Sequence, residues 1–313
     1  MSIAFTFPGQ GSQAVGMGKA LADAYPEARA VFDEVDEALG EALSRLMWEG
    51  PEETLTLTAN AQPALMAVSM AIIRTMEARG FQMQGKVDYV AGHSLGEYSA
   101  LCAAGMFTIA DTARLLRIRG KAMQQAVPVG EGAMAAIIGL EHDAVEAACA
   151  TASGQGVCQI ANDNGGGQIV ISGAKDAVEA AARHCTENGA KRAILLPVSA
   201  PFHSALMAPA ADAMRVALEA ATKNAPVVPV VSNVAVAALT DPEEIAARLV
   251  EQVTGRVRWR ETVEWFAANG VTTLYEVGSG KVLSGLARRI DRDIVTVAVN
   301  GPADIETVLA ALG

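Results

Sequence analysis

Short apolar runs typical of β-strands alternate with amphipathic helical runs along almost the whole chain of 313 residues. Because parallel strands need a crossover between them, usually a helix, this alternation predicts an α/β fold with a mainly parallel sheet. The strands that we predict are "SIAFTF" near the N-terminus, "VDYVAG" at 87–92, and "PVVPVVSN", "TTLYEVG" and "IVTVAV" in the last third of the chain.

One section, at about 132–197, departs from simple alternation. Its predicted order is strand "AMAAIIG", helix "HDAVEAACATA", strands "VCQIAN" and "QIVISG", helix "DAVEAAARHCTENG" and strand "RAILLPV". This β-α-β-β-α-β order is that of the ferredoxin-like unit. We therefore predict a ferredoxin-like inserted domain at 128–198 and a larger domain built from 1–127 and 199–313.

The composition limits the class of protein and its partners. Hydrophobic residues make up 51% of the chain and charged residues 19%, which predicts a compact globular protein, and the net charge of -11 disfavours nucleic acid as a partner. The N-terminus lacks the basic segment of a signal peptide, and Gln62, Pro63 and Ser69 interrupt the most apolar helix. We therefore expect a cytoplasmic protein that binds neither nucleic acid nor membranes.

The cysteines form no C-x-x-C pair and lie among apolar residues, at Cys102, Cys149, Cys158 and Cys185. Cysteines in such surroundings behave as small hydrophobic residues. We expect all of them to be reduced and buried, and we predict neither a disulfide nor a metal site.

The motif "GHSLG" places Ser94 between Gly92 and Gly96, directly after a predicted strand and before a predicted helix. This is the G-x-S-x-G pattern, in which glycines permit a sharp strand-to-helix turn that exposes the serine hydroxyl. The positive end of the following helix would favour an anion that develops there. The pattern predicts that Ser94 is a nucleophile.

A nucleophilic serine needs a base, and His203 is the best candidate among the histidines. His203 follows a predicted strand, at a loop position where catalytic groups gather in open α/β sheets. His93 adjoins Ser94 and should point away from it, whereas His142 and His184 lie on predicted surface helices. The sequence leaves open whether an acid such as Asp163 supports the base, as it would in a hydrolase.

Residues 9–14, "GQGSQA", match the G-x-G-x-x-A fingerprint of dinucleotide-binding proteins. The second strand and acid that should follow are missing, because that region is predicted to be continuous acidic helix. A nicotinamide-dependent oxidoreductase therefore stays as an alternative from another class. The other interpretation is a glycine loop in which Gln10 supplies a donor to an oxyanion.

The predicted helix "IADTARLLRIRGKAMQQA" carries a cation on its apolar side. A projection at 100° per residue puts Leu115 and Ile118 on the apolar face, Arg117 on the polar face, and Arg119 among the apolar residues. A buried guanidinium should have an anionic partner. That partner would be either a carboxylate in a structural salt bridge or the carboxylate of a substrate.

Five segments, in this order, resemble the malonyl-CoA:acyl carrier protein transacylase family of bacterial fatty acid synthesis: "FPGQGSQ", "GHSLGEYSAL", "RGKAMQ", "VSAPFHSALM" and "LYEVGSGKVLSGL". The resemblance runs from residue 5 to about residue 290. It implies an α/β-hydrolase-like large domain with a ferredoxin-like insertion, in agreement with the pattern above.

The resemblance also implies roles for individual residues. It makes Ser94 the acylated nucleophile and His203 its base, oriented by the backbone carbonyl of Gln252 rather than by an acid. The backbone amides of Gln10 and Leu95 would form the oxyanion hole. The substrate-binding residues would include Arg119, Gln252, Phe202 and Asn162, with Arg119 on the malonyl carboxylate.

The activity that the resemblance implies is transfer of a malonyl group from malonyl-CoA to the phosphopantetheine thiol of acyl carrier protein, through a malonyl-serine intermediate. It implies no bound cofactor, and a monomer is our expectation. The alternative is a serine esterase or thioesterase of the α/β-hydrolase type. The segment 255–292 contains seven basic residues and only four acidic ones, and we predict that the acidic carrier protein docks there.

Overall fold

The computed structural model describes residues 2–198 and 200–313. The described chain forms two sheets, one of six strands and one of four. The six-stranded sheet contains β1 (Ser2–Phe7), β2 (Tyr89–Gly92), β7 (Val230–Val231), β8 (Ala238–Leu239), β9 (Val271–Val277) and β10 (Val295–Val299). The four-stranded sheet contains β3 (Gly132–Ile138), β4 (Cys158–Asp163), β5 (Gln168–Ala174) and β6 (Arg192–Leu195).

Helices connect these strands. Those that precede β3 are α1 (Lys19–Ala24), α2 (Pro26–Leu39), α3 (Leu43–Glu49), α4 (Glu52–Thr56), α5 (Thr58–Glu77), α6 (Leu95–Ala103) and α7 (Ile109–Gln125). Those that follow β3 are α8 (His142–Ala152), α9 (Lys175–Glu187), α10 (Ala208–Ala220), α11 (Pro242–Thr254), α12 (Trp259–Ala268), α13 (Val282–Ile290) and α14 (Pro302–Leu312). The prediction of one continuous acidic helix is wrong, because the segment forms four shorter helices, α1–α4, with no strand among them.

The large sheet has the order β10-β9-β1-β2-β7-β8 and is parallel except for the edge strand β8. This confirms the prediction of a mainly parallel sheet. Helix α5 packs against it, and its residues from Ala61 to Ile73 are buried in the main core. Within the described chain α5 is the longest helix, and no helix has the length and hydropathy of a membrane span.

The small sheet has the order β4-β5-β3-β6, and every neighbouring pair is antiparallel. Helices α8 and α9 pack together against it over a separate apolar core. This arrangement confirms the ferredoxin-like insertion. The bounds 128 and 198 stay a prediction, and residues 1 and 199, where the predicted larger domain begins and resumes, lie outside the described residues.

Two further sequence predictions about local structure are wrong. "PVVPVVSN" forms only the two-residue strand β7, because Pro229 has no N–H to pair, although its carbonyl accepts from Val90 N. On α7, Ile118 is 41% exposed, whereas Arg117 is buried. Helix α7 packs against α2, α5 and α10, so a single apolar face does not describe it.

The cysteine predictions are confirmed in part. All four cysteines are free, and three of them are buried. Cys158 is only partly buried, because it lies at the start of β4 beside an open groove.

Candidate active site

Ser94 lies in the sharp turn between β2 and α6. Its backbone has a φ of 54°, in the left-handed region, which is energetically unfavourable for any residue other than glycine. The flanking glycines permit the turn, since a Cβ on Gly92 would lie 1.9 Å from the carbonyl group of Gly96, and one on Gly96 would lie 2.2 Å from the carbonyl oxygen of Phe7. Ser94 is also the residue that precedes the first turn of α6. The hydroxyl therefore stands at the positive end of that helix.

His203 meets Ser94 across 109 residues of sequence, with 2.8 Å between His203 Nε2 and Ser94 Oγ. The other ring nitrogen, Nδ1, lies 2.9 Å from the carbonyl oxygen of Gln252 and 3.1 Å from that of Gly255. Carbonyl oxygens only accept hydrogen bonds, so Nδ1 carries the proton and Nε2 is free to accept the Ser94 hydroxyl. The ring is thus in the tautomer that a general base needs.

His203 is held in its neutral form by its surroundings. Burial, and then the positive charge of Arg119, lower the pKa of His203 to about 3, although the hydrogen bonds to Gln252 and Gly255 oppose this. At neutral pH the imidazole can therefore take a proton without first losing one.

We predict that the His203 imidazole stays neutral, with its proton on Nδ1, from pH 8 down to about pH 5. Two-dimensional ¹H–¹⁵N NMR of the imidazole nitrogens, assigned by comparison with His203→Ala, measures this directly. In the unfolded chain this histidine is protonated below about pH 6.5, the ordinary pKa of histidine, whereas in the folded chain it is not. The residue therefore lowers the free energy of unfolding as the pH falls from 6.5 towards 3. A midpoint near 6.5 in the folded protein would contradict the prediction.

Asp163 does not contact the base. Its carboxylate forms an ion pair with Arg260, with 2.9 Å to Nη2, and accepts hydrogen bonds from Arg260 Nε at 3.0 Å and from the Gly165 N–H. His93, as predicted from its place beside Ser94, turns to another partner: its Nε2 lies 2.9 Å from Asn164 Oδ1. The arrangement is therefore a serine–histidine pair completed by main-chain carbonyls.

Arg119 is fully buried and donates to neutral groups only. Its two terminal nitrogens donate to Gln62 Oε1 at 2.9 Å, to Gln252 Oε1 at 2.8 Å and to Ser94 Oγ at 3.0 Å. No ion pair found in residues 2–198 and 200–313 includes Arg119, and its Nε has no hydrogen-bond partner there. The sequence left a structural salt bridge and a substrate carboxylate open, and no carboxylate of the described chain pairs with Arg119.

A cavity of about 400 Å³ contains most of the predicted site residues: Ser94, His203, Gln10, Leu95, Arg119, Phe202 and Asn162 line it. Gln252 lies behind the cavity wall, fully buried between Arg119 and His203. The Gln10 side chain donates to Thr58 Oγ1 at 3.2 Å, which fixes the glycine loop beside Ser94. All eight predicted residues are thus brought to one place.

Three further residues at this site were not predicted: Gln62, Glu97 and Asn233. Gln62 contacts Arg119, while Asn233 accepts a hydrogen bond from Ser94 N at 2.8 Å and donates to Gly92 O at 2.7 Å. Asn233 ends the apolar segment "PVVPVVSN", and Glu97 lies within the serine motif. A polar residue at the carboxyl end of a strand was the available signal for Asn233.

Comparison with known proteins decides the family. The family model described as acyl transferase domain matches residues 4–295. The chain belongs to this acyl transferase family. The nucleotide-binding alternative relied on the glycine loop at 9–14. In this acyl transferase the loop packs beside the serine turn, since a Cβ on Gly9 would lie 2.7 Å from the carbonyl oxygen of His93.

Relatives of this acyl transferase cover its whole length. It is 48% identical over 311 residues to the malonyl CoA-acyl carrier protein transacylase of Bacillus subtilis, covering 99% of this chain and 97% of that protein. The crystal structure of the acyl-carrier-protein-S-malonyltransferase of Bartonella henselae has a TM-score of 0.99 at 64% identity, covering 100% of both chains. A malonyl-transacylase solved in complex with its type II PKS acyl-carrier protein has a TM-score of 0.96 at 45% identity, covering 99% of this chain and 100% of that one.

Proposed function

We propose that this acyl transferase moves a malonyl group from malonyl-CoA to the phosphopantetheine thiol of an acyl carrier protein, through a malonyl ester on Ser94. The observation that carries the proposal is a buried arginine, free of carboxylate partners in the described chain, whose guanidinium lies 3.0 Å from the nucleophile. An acyl group on Ser94 that ends in a carboxylate would reach Arg119, which can bind it with two parallel hydrogen bonds.

In the first half of the reaction, Ser94 Oγ attacks the thioester carbonyl while His203 Nε2 takes the hydroxyl proton. The backbone amides of Gln10 and Leu95 stabilise the oxyanion of the tetrahedral intermediate. The C–S bond then breaks, and the sulfur of CoA leaves with the proton from His203. Malonyl-Ser94 remains.

In the second half, the carrier thiol gives its proton to His203 and attacks the ester carbonyl of malonyl-Ser94. The same two amides hold the oxyanion. Collapse of this intermediate breaks the bond to Ser94 Oγ, which recovers the proton from His203. Asn162 and Phe202, which also line the cavity, contact the acyl group and restrict its size.

The order of these steps makes the first half independent of the carrier. We therefore expect labelled CoA to exchange into malonyl-CoA when the enzyme is mixed with both and no carrier protein is present. Appearance of the label in malonyl-CoA, followed by chromatography, measures the exchange. If exchange required the carrier protein, a ternary mechanism would replace the one proposed.

The serine esterase alternative makes a different prediction at Asp163, which it would use as the acid of a triad. Since Asp163 is paired with Arg260 and not with His203, we expect Asp163→Asn to keep its CoA exchange rate within about threefold of the wild type while it loses stability. Thermal unfolding followed by circular dichroism measures the second effect. A loss of activity of a hundredfold in a folded variant would favour the esterase mechanism.

Within the basic stretch 255–292, we propose a smaller set of residues as the carrier docking surface. Arg256 and Arg258 pair with Glu261, and Arg260 pairs with Asp163 and Glu264, so their charges are largely compensated. A separate group is exposed and takes part in none of the ion pairs of the described chain: Lys281, Arg288, Arg289 and Arg292. An acidic carrier would meet positive charges at this second group that form no ion pair within the described chain.

A further inference from the structure

Glu97 is a fully buried carboxylate directly behind the candidate active site, on the first turn of α6. Its Oε2 accepts hydrogen bonds from Gln252 Nε2 at 2.8 Å and from Asn233 N at 3.1 Å. Its Oε1 has no partner among the described residues. The reaction described above makes no use of this group, although burying a carboxylate costs energy.

The contacts of Glu97 lead to Arg119 through one amide. Gln252 Nε2 donates to Glu97 Oε2 and to Ser94 O, and this leaves Gln252 Oε1 to accept from Arg119 at 2.8 Å. If the amide turned over, its NH₂ group would face the guanidinium, and two donors would oppose each other. Glu97 therefore selects the orientation of Gln252 that Arg119 requires.

Glu97 also provides the negative charge nearest to Arg119 along this hydrogen-bond chain. Both side chains are almost completely buried, at 0% and 1% exposure, where an isolated charge is strongly disfavoured. Burial raises the pKa of Glu97 to about 7, while the bonds from Gln252 and Asn233 and the charge of Arg119 act against that rise. Glu97 and Arg119 share no direct hydrogen bond, so Glu97 acts on the guanidinium only across Gln252.

We propose that Glu97 is a positioning residue for acyl selection: through Gln252 it fixes the Arg119 guanidinium in the place where a substrate carboxylate binds. The proposal rests on the proposed malonyl transfer. It differs from a merely structural role, in which Glu97 would only support the serine turn through Asn233. A structural role affects every acyl group equally, whereas a role through Arg119 affects only acyl groups that carry a carboxylate.

Glu97→Gln tests the proposal, because glutamine keeps the shape of the side chain and removes its charge. We expect the ratio of kcat/KM for malonyl-CoA to kcat/KM for acetyl-CoA, measured as CoA exchange at pH 8, to fall about tenfold, the lower end of the loss seen when the partner that orients a metal ligand is removed. In an Arg119→Ala background, the same change should leave the ratio unaltered, because the residue on which Glu97 acts is gone.

Glu276→Gln is the matched control. Glu276 is also a buried glutamate, 1% exposed, and its carboxylate accepts from the backbone N–H groups of Leu283 and Ser284 at the start of α13. We expect this variant to lose stability and to keep its malonyl-to-acetyl ratio. If Glu97→Gln does not fold, Glu97→Asp replaces it, since it keeps the charge and shortens the reach to Gln252, and its ratio should also fall.

Equal losses for malonyl-CoA and acetyl-CoA in a folded Glu97 variant would overturn the proposal, and so would an unchanged ratio. A fall in the ratio that persists in the Arg119→Ala background would overturn it as well. These results are distinguishable from failure of the proposed function, because in that case the wild-type enzyme itself would not exchange CoA into malonyl-CoA.

Discussion

Replacing His203 with alanine is expected to slow acylation of Ser94 by about 10²- to 10⁴-fold, the usual contribution of a positioned general base. The structure gives the physical reason. His203 Nε2 lies 2.8 Å from Ser94 Oγ, and two main-chain carbonyls hold the proton on the opposite nitrogen. Without the ring, the hydroxyl proton has no acceptor of comparable basicity, and the serine attacks as a neutral alcohol. Rapid-quench measurement of the malonyl-enzyme formed in the first turnover isolates this step.

The control for this variant is His184→Ala. His184 lies on α9, which packs on the small sheet, and it should be dispensable for acylation. Imidazole added to His203→Ala should restore part of the rate, since the truncation leaves a space lined by the carbonyls of Gln252 and Gly255. Acylation within tenfold of the wild type in a folded His203→Ala variant would contradict the assignment of the base.

Replacing Arg119 with alanine should lower kcat/KM for malonyl-CoA by about 10²- to 10³-fold, because a malonyl carboxylate would then be buried without its partner, at a cost of about 3–4 kcal/mol. Acetyl-CoA has no such group, and we expect its kcat/KM to change by less than about tenfold. The remaining effect on acetyl transfer follows from the loss of the 3.0 Å hydrogen bond between Arg119 and Ser94 Oγ. CoA exchange with each substrate measures both values.

Two variants separate recognition from general damage. Arg117→Ala removes another buried arginine from the same helix, one that contacts Ala59 O and Asn60 Oδ1, and it should reduce stability without changing acyl preference. Arg119→Lys keeps the charge but loses the planar pair of donors, and it should retain only part of the preference for malonyl-CoA. Equal losses for malonyl-CoA and acetyl-CoA in Arg119→Ala would show that Arg119 does not bind the carboxylate.

Much of the fold follows from local pattern. The helix predicted from "HDAVEAACATA" is α8, His142–Ala152, with the predicted bounds, and the β-α-β-β-α-β order was correct throughout the inserted unit. The shortened strand β7 shows where such patterns fail. The prolines in "PVVPVVSN" were visible, but the loss of pairing depends on which neighbours the strand meets, here β2 and β8.

The candidate site was predictable to the extent that its residues lie in motifs. Ser94 can be identified from a turn pattern, and Arg119 from its charge on the apolar side of a helix. Glu97 and Asn233 do not, because their function depends on contacts across 155 and 136 residues. The exposure of Ile118 and the burial of Arg117 were mispredicted for a similar reason, since the elements packed around α7 decide which of its sides are buried.

The central claim is that a malonyl ester on Ser94 is passed to a carrier thiol, and intact-mass spectrometry tests it most directly. The enzyme is mixed with malonyl-CoA and its intact mass is read, and a portion is then digested to find the modified peptide. In a parallel sample, holo acyl carrier protein is added before the intact masses of both proteins are read. We predict one malonyl group on the peptide that contains Ser94, none on Ser94→Ala, and quantitative movement of that group to the carrier. Release of free malonate with no gain of mass on the carrier, or a malonyl group on a residue other than Ser94, would contradict the account.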